Sequence, residues 1–406
     1  MDRIVDDIYH MSREALDIVS RYAHKTPLDY SATFSRISGG DIYLKCENLQ
    51  KTGSFKVRGA LYKISKIKDR VKGVVAVSAG NHAQGVAYAS RCFGLESIIV
   101  MPVNASIAKV EATKSYGAKI VLYGEVFDES FKKALEIARE TGYEMIHAFN
   151  DPQVIAGQGT ISFEIFEKIG APDVIVVPIG GGGLISGIAS VAKKLSNGRT
   201  RIIGVEPKAC PKMLESIKAG RIVDIEPKPT IADGLVVKKP GELTFKLVSE
   251  LVDDIVTVSE EEIAHAIYML LERCKLLVEG AGAVSTAAII SGKVNVEGKK
   301  TVAVVSGGNI DLTSLYKVVI RGLCEEGRIV VIEGYIPDTP GSLARVAEVI
   351  AENRGNIVEV IHRRAEVKSP AWHVRVEIIV EVPSRSKAEE IVSELNKLGY
   401  NLRLSS

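Results

Sequence analysis

The chain is short of several things, and each shortage narrows its class. Cysteine is scarce: five in 406 residues, without CxxC or CxxH spacing. That excludes a disulfide framework and a zinc site and suits a reducing cytoplasm. Neither sign of charge is in excess, because 52 Lys and Arg face 50 Asp and Glu and leave a formal net charge of +2. Neither a basic footprint for nucleic acid nor an acidic solvating tail is present. The N-terminal segment MDRIVDDIYHMSREALDIVSRY lacks the unbroken apolar run of a signal peptide, so no export is expected. Its apolar residues Ile4, Ile8, Met11, Ala15, Ile18 and Tyr22 recur at helical spacing instead. Long hydrophobic runs are missing too. The longest stretch without a charge, Val174 to Ala192, splits into two apolar blocks around four glycines. This is the pattern of a buried strand, a tight loop and a helix, not of a membrane span. The expected partners therefore include neither nucleic acid nor membrane, and the expected location is the cytoplasm.

What is present indicates an α/β protein of more than one domain, since 406 residues exceed an ordinary single unit. From about residue 40 to 320, short β-branched runs (DIYLKC, VVAVS, SIIVM, AKIVLY, DVIVVP, RIIGV, DIVTV, TVAVVS) alternate with helical segments. Among the helices are Ala83 to Phe93, Phe127 to Arg139, Ile155 to Lys168 and Glu260 to Arg273, the last opened by Ser259 and Glu262 at capping-box spacing. Strands apolar throughout and each followed by a helix predict a mainly parallel sheet covered on both faces, with ligands at the strands' carboxyl ends. After Cys324 the rhythm changes at the charged break EEGR and reads strand, helix, strand, strand, helix, strand. That order predicts a second, ferredoxin-like βαββαβ unit over residues 325–406, after a first unit over residues 1–324.

Four segments carry chemistry. In PIGGGGLISG a strand runs into glycines at a helix start, where backbone N–H groups and the helix dipole favour a phosphate. The spacing is neither GxGxxG nor GxxxxGK[ST]. In KCENLQKTGSFKVRGA, residues 52–54 read as a helix start and Lys56 falls in the first turn. The positive helix end lowers the pKa of a lysine there and favours its neutral amine, which suits a Schiff-base role. Lys45 and Lys51 are rivals on spacing alone. In VSAGNHAQGVA, the loop Ser78 to His82 leads into a helix and offers donors to a carboxylate or a ring oxygen. His82 fits a capping or packed ring as well as a base, so it is assigned no catalytic role. In VVSGGNIDL, Ser306 follows a strand and can hydrogen-bond a heterocyclic nitrogen.

Taken together with DPQVIAGQGT, TIADGL and VEGAGA, these segments resemble the fold-type II pyridoxal-phosphate enzymes. More narrowly, the chain resembles the threonine and serine dehydratase branch (threonine ammonia-lyase) over nearly all of its first 320 residues. The resemblance implies a tryptophan synthase β-like fold, pyridoxal 5′-phosphate as cofactor and Lys56 as the Schiff-base lysine. Phe55 is then expected to flank the cofactor ring, Asn81 to bond its 3′ oxygen, Gly180, Gly181, Gly182, Gly183 and Leu184 to hold the phosphate, and Ser306 to face the pyridine nitrogen. Ser78, Ala79, Gly80, Asn81 and His82 are expected to bind the substrate. The implied reaction is dehydration and deamination of L-threonine to 2-oxobutanoate and ammonia, with L-serine as a further substrate. Serine racemases of this fold carry a serine where this chain has Ala79, which removes the second proton donor that racemisation needs. The family's divalent-cation position reads EPKACPK, with Cys210 and Lys212 where an acidic ligand is wanted, so no metal is expected.

The segment PDTPGSLARVAEVIAENRGNIVEV resembles an ACT domain, a small amino-acid-sensing module. The implied effector site combines Asp338, Gly341 and Ser342 with Asn356 of the partner subunit in a homo-oligomer, a dimer or tetramer. One methyl group separates threonine from serine by only about 1–3 kcal/mol, and the motifs do not choose between them. The ACT unit tips the reading to threonine, since an enzyme feeding isoleucine synthesis needs an end-product sensor such as one for isoleucine or valine. The rivals are a serine dehydratase or racemase, a β-replacement enzyme, and, from a different class, a non-catalytic amino-acid sensor.

Overall fold

The computed structural model describes residues 2–364 and 369–405. They form two compact units, Met1–Asp311 and Leu312–Ser406. The helix Leu312–Glu325, which ends at the charged EEGR break, belongs to the second unit by its contacts.

The first unit holds two sheets where the alternation of strands and helices predicts one. A six-stranded sheet runs, in spatial order, β1 (Leu28–Tyr30), β2 (Asp41–Cys46), β10 (Lys300–Val305), β7 (Val174–Pro178), β8 (Arg201–Pro207) and β9 (Asp254–Val258). Only the edge pair β1 and β2 is antiparallel. A four-stranded, wholly parallel sheet runs β5 (Lys119–Leu122), β4 (Glu96–Met101), β3 (Gly73–Val77) and β6 (Glu144–Met145). Sequence periodicity does not record which strand pairs with which, so the division is invisible along the chain. The short strands Leu28–Tyr30 and Glu144–Met145 are also too brief to show a period.

The helix Gly280–Ile290 is buried from Gly280 to Ile289, as befits a helix that is apolar all round. It packs against β7, β8, β9 and β10 of the larger sheet. The helix Glu260–Cys274 carries the expected capping box, with Ser259 Oγ accepting from the Glu262 N–H and Glu262 accepting from the Ser259 N–H. No helix among the described residues is long and apolar enough to cross a membrane.

The second unit is an antiparallel sheet in the order β12 (Asn356–Arg363), β13 (His373–Glu381), β11 (Ile329–Pro337) and β14 (Asn401–Leu404). The helices Ser342–Glu352 and Arg385–Lys397 complete the βαββαβ order read from the sequence. Along β13 every second residue is buried, the alternation expected of a sheet with one covered face.

Candidate active site

The helix that carries Lys56 starts at that residue, and its N-cap, Phe55, makes no side-chain capping bond. Ser54 therefore does not cap the helix. Its backbone bridges Gly307 in antiparallel fashion, the Phe55 N–H donates to the Ser306 carbonyl at 3.1 Å, and the Gly308 N–H donates to the Gly53 carbonyl at 2.8 Å. This pairing sets Lys56 beside Ser306 despite their distance in sequence. Behind it the helix Lys56–Ile67 crosses the helix Pro152–Ile169 at close range. A Cβ on Gly59 would lie 2.6 Å from the Val154 carbonyl, and one on Gly157 would lie 2.6 Å from the Arg58 carbonyl. Any side chain at the crossing would push the lysine out of register.

The Lys56 ammonium donates to the Ala148 carbonyl at 3.1 Å and lies 5.2 Å from the Phe55 ring centre. Burial pushes its pKa down to about 8, against a smaller opposing pull from Glu279. Lys45, a rival on spacing, is engaged elsewhere: its ammonium bonds Glu164 at 2.5 Å and the Thr26 carbonyl at 2.8 Å. It belongs to a buried network in which Arg58 bonds Glu47 at 2.7 Å and Glu164 at 2.6 Å. Lys51, the other rival, is exposed. Of the three, Lys56 is the one that follows directly on the backbone pairing with Ser306.

Of the glycines Gly180 to Gly183, the last three leave no room for a side chain. A Cβ on Gly181 would fall 2.3 Å from the Phe149 ring, one on Gly183 would fall 2.9 Å from the Phe149 backbone, and Gly182 has φ +94°. The helix Gly183–Leu195 begins there without a side-chain cap, so the N–H groups of its first turn have no partners within the helix. Donors of this kind, converging on a space with no Cβ, fit a phosphate. Thr244 Oγ1 braces the loop from outside by donating to the Gly181 carbonyl at 2.7 Å. Ser306 is 3% exposed, and its hydroxyl has only a 3.3 Å bond to the Ala281 carbonyl. It can donate to a ring nitrogen without placing a charge beside it.

The segment His147–Asn150, absent from the motif reading, joins these parts. Ala148 receives the Lys56 amine, Phe149 floors the cradle, and His147 Nδ1 accepts from the Phe149 and Asn150 N–H groups at 3.2 and 2.9 Å. Burial, and then the nearby Lys56 charge, push the His147 ring toward neutrality. The available signal was Asp151-Pro152, an N-cap with proline at the first helical position, whose carboxylate accepts from Gln153 and Val154. It places a loop just upstream.

The loop Ser78 to His82 lies at the start of the helix Asn81–Cys92. The Gly80 N–H donates to Ser78 Oγ at 3.0 Å. Asn81 is held at both ends of its amide: Nδ2 donates to Glu279 at 2.6 Å and Oδ1 accepts from Asn309 at 2.7 Å. Glu279 is 6% exposed, and burial with the Asp233 charge raises its pKa to about 7. His82 is buried and bonded to the Ile146 carbonyl at 2.9 Å, and burial pushes it down to about 3. Its ring is a neutral, packed one. Ala79, half-buried, contributes to the apolar cluster behind the loop.

In the second unit, Asp338, Gly341 and Ser342 line one cavity of about 190 Å³ together with His362 and Arg364. Arg364 pairs with Asp338 at 3.0 Å, and Ser342 and Thr339 share a hydroxyl bond of 2.9 Å. Asn356 opens β12, exposed, and does not line that cavity.

The chain belongs to the pyridoxal-phosphate dependent enzymes, whose family model matches residues 19–307, and it carries an ACT domain matching residues 330–400. It is 47% identical to the L-threonine ammonia-lyase of Thermotoga maritima over 97% of this chain and 98% of that protein. Among solved structures, threonine deaminase isoform 2 from Solanum lycopersicum is 36% identical with a TM-score of 0.74, covering 78% of this chain and 93% of that one. Maize serine racemase is 38% identical with a TM-score of 0.73, covering 78% and 98%. The fold is thus the expected fold-type II one, and the cofactor is pyridoxal phosphate.

Proposed function

We propose that the first unit is a threonine ammonia-lyase that converts L-threonine to 2-oxobutanoate and ammonia, and L-serine to pyruvate. The observation that carries this reading is the backbone pairing of residues 53–55 with residues 306–308, which joins the start of the helix bearing the desolvated Lys56 amine to the turn bearing the uncharged Ser306 hydroxyl. When bound, pyridoxal phosphate supplies an electron sink for the substrate's Cα. The residues of the chain divide the remaining work. Lys56 carries the cofactor and, its proton loosened by burial, takes the Cα proton as general base. The N–H groups from Gly180 to Leu184 hold the phosphate, while Phe55 flanks the ring. Asn81, pinned by Glu279 and Asn309, keeps one amide hydrogen for the 3′ oxygen. Ser306, uncharged, faces the pyridine nitrogen and favours elimination over transamination. The turn from Ser78 to His82 binds the substrate carboxylate at a helix N-terminus. Ala79 offers no acid to the opposite face, which disfavours racemisation although the fold is shared with a racemase.

The ACT unit senses an amino acid such as isoleucine or valine through Asp338, Gly341 and Ser342, with Asn356 of the partner subunit completing the site. This requires a homo-oligomer, a dimer or tetramer, working in the cytoplasm. Coupling between such sites is typically about 1–3 kcal/mol, or roughly 5–150-fold in affinity. The decisive experiment assays 2-oxo acid release from L-threonine, L-serine and D-serine, each with and without isoleucine. Release from L-threonine that responds to isoleucine supports the reading. Interconversion of L- and D-serine without 2-oxo acid overturns it.

A further inference from the structure

Below the glycine cradle lies a charge pair that the chemistry above does not use. Lys212 and Glu206 are both 0% exposed. The Lys212 ammonium lies 2.9 Å from Glu206 Oε1, donates to the Ile179 carbonyl at 2.7 Å and reaches the Cys210 carbonyl at 3.5 Å. Glu206 accepts in addition from the Met213 and Leu214 N–H groups at 3.0 and 2.9 Å. Lys212 is also the first residue of the helix Lys212–Ala219. The helix start therefore explains the carboxylate but opposes the ammonium. A buried ion pair adds little net stability over well-packed apolar residues, so holding the fold together is not a sufficient reason for this one.

The position of the ammonium supplies a reason. Ile179 immediately precedes Gly180, and its N–H is fixed by the Val205 carbonyl at 2.8 Å. Lys212 holds the carbonyl of the same residue, so the chain entering the cradle is clamped on both sides. Met213 continues the support from below, its Cε lying 2.9 Å from where a Cβ on Gly182 would be. One positive charge among three oxygens is the arrangement that a small inorganic cation would take. We infer that Lys212 is a positioning residue, a tethered cation that holds the glycine loop in its phosphate-binding form. The inference rests on the reading of Gly180 to Leu184 as the phosphate site.

The test uses the full chain stripped of cofactor and measures its affinity for pyridoxal phosphate and for pyridoxal, which lacks the phosphate, by the absorbance of the bound coenzyme. Lys212→Ala is expected to bind pyridoxal phosphate at least tenfold more weakly while its affinity for pyridoxal stays within twofold. Propylammonium chloride, which can refill the vacated space, is expected to recover at least threefold, and tetramethylammonium chloride at equal concentration to recover nothing. Unchanged affinity for pyridoxal phosphate, an equal loss for both ligands, or no propylammonium effect overturns the inference. If Lys212→Ala does not fold, Lys212→Met with Glu206→Gln removes the charge without stranding a carboxylate. That double variant is expected to show the same selective tenfold loss without propylammonium rescue, and wild-type selectivity in it overturns the inference. A wild-type chain that does not prefer pyridoxal phosphate to pyridoxal overturns the phosphate site itself, a failure visible before any variant is made.

Discussion

The two units solve the problem of burial in opposite ways. The first places Lys45, Glu47, Arg58, Glu206 and Lys212 at 1% exposure or less. In the second, among the described residues, Ser342 is the only polar side chain that is buried. Its core is made of residues such as Ile332, Ile336, Val376, Ile378 and Leu395, and its ion pairs, such as Arg345 with Glu348, lie at the surface. Burying charge is costly unless every partner is in place. The first unit accepts that cost next to the helix starts and loops that must hold an anionic cofactor in one geometry, whereas a small sheet packed on helices needs only a patterned apolar face. The contrast separates residues kept for the site from residues kept for the fold.

The sharpest test of that contrast is Lys56→Ala. It is expected to cut kcat for 2-oxobutanoate release by on the order of 10³-fold or more while the thermal transition of the chain barely moves. A large fall in stability would place Lys56 with the fold. Next, Arg58→Met strips the buried Glu47 of its guanidinium bonds, leaving it the Thr26 hydroxyl and Lys45 at 3.8 Å, and should destabilise the first unit by about 3–5 kcal/mol in denaturant titrations. A loss below about 1 kcal/mol would mean that the buried network is not the structural charge cluster described above.

Third comes Glu279, raised to about 7 by burial and by Asp233. Because the folded chain holds this proton more tightly than the unfolded one, the group's contribution falls as pH rises from about 4.5 to about 7. Glu279→Gln should therefore match the cofactor-free wild type below pH 4.5 and exceed it by about 3 kcal/mol at pH 8. A difference that does not change with pH counts against the shift. The smallest effect belongs to the second unit. Glu333 is held below the usual carboxylate range, first by the hydrogen bond from Arg403 and then with help from Arg375. Its contribution is present at neutral pH and lost as pH falls through that lowered range. For partners this exposed, Glu333→Gln should cost less than about 1 kcal/mol. A cost matching that of Arg58→Met would erase the distinction between the units.

Much of the architecture was legible in the residues. The run DIYLKC is β2 and DIVTV is β9, end to end, because β-branched runs bounded by polar residues have few alternatives. The βαββαβ order of the second unit was readable for the same reason. The tetraglycine and Lys56 could be singled out because the roles proposed for them depend on local backbone chemistry, a helix start and the absence of Cβ atoms. Illegible were the parts made by long-range contact. Asn309 bonds Asn81 across 228 positions, and Thr244 braces Gly181 across 63. Spacing alone does not separate Lys45, Lys51 and Lys56; the helix start favours Lys56, and only the surroundings of the three ammonium groups set the other two apart from it.

The sequence by itself determined the two-unit plan, the class of strand and helix over most of the chain, and a strand-to-helix turn at four consecutive glycines. Those follow from periodicity and from backbone preferences that act over a few residues. The tertiary structure decided which lysine is desolvated, which carboxylate is raised toward neutrality, and which buried ammonium clamps the loop. Each depends on distance and burial, and these are set by how separate segments pack and not by their order along the chain.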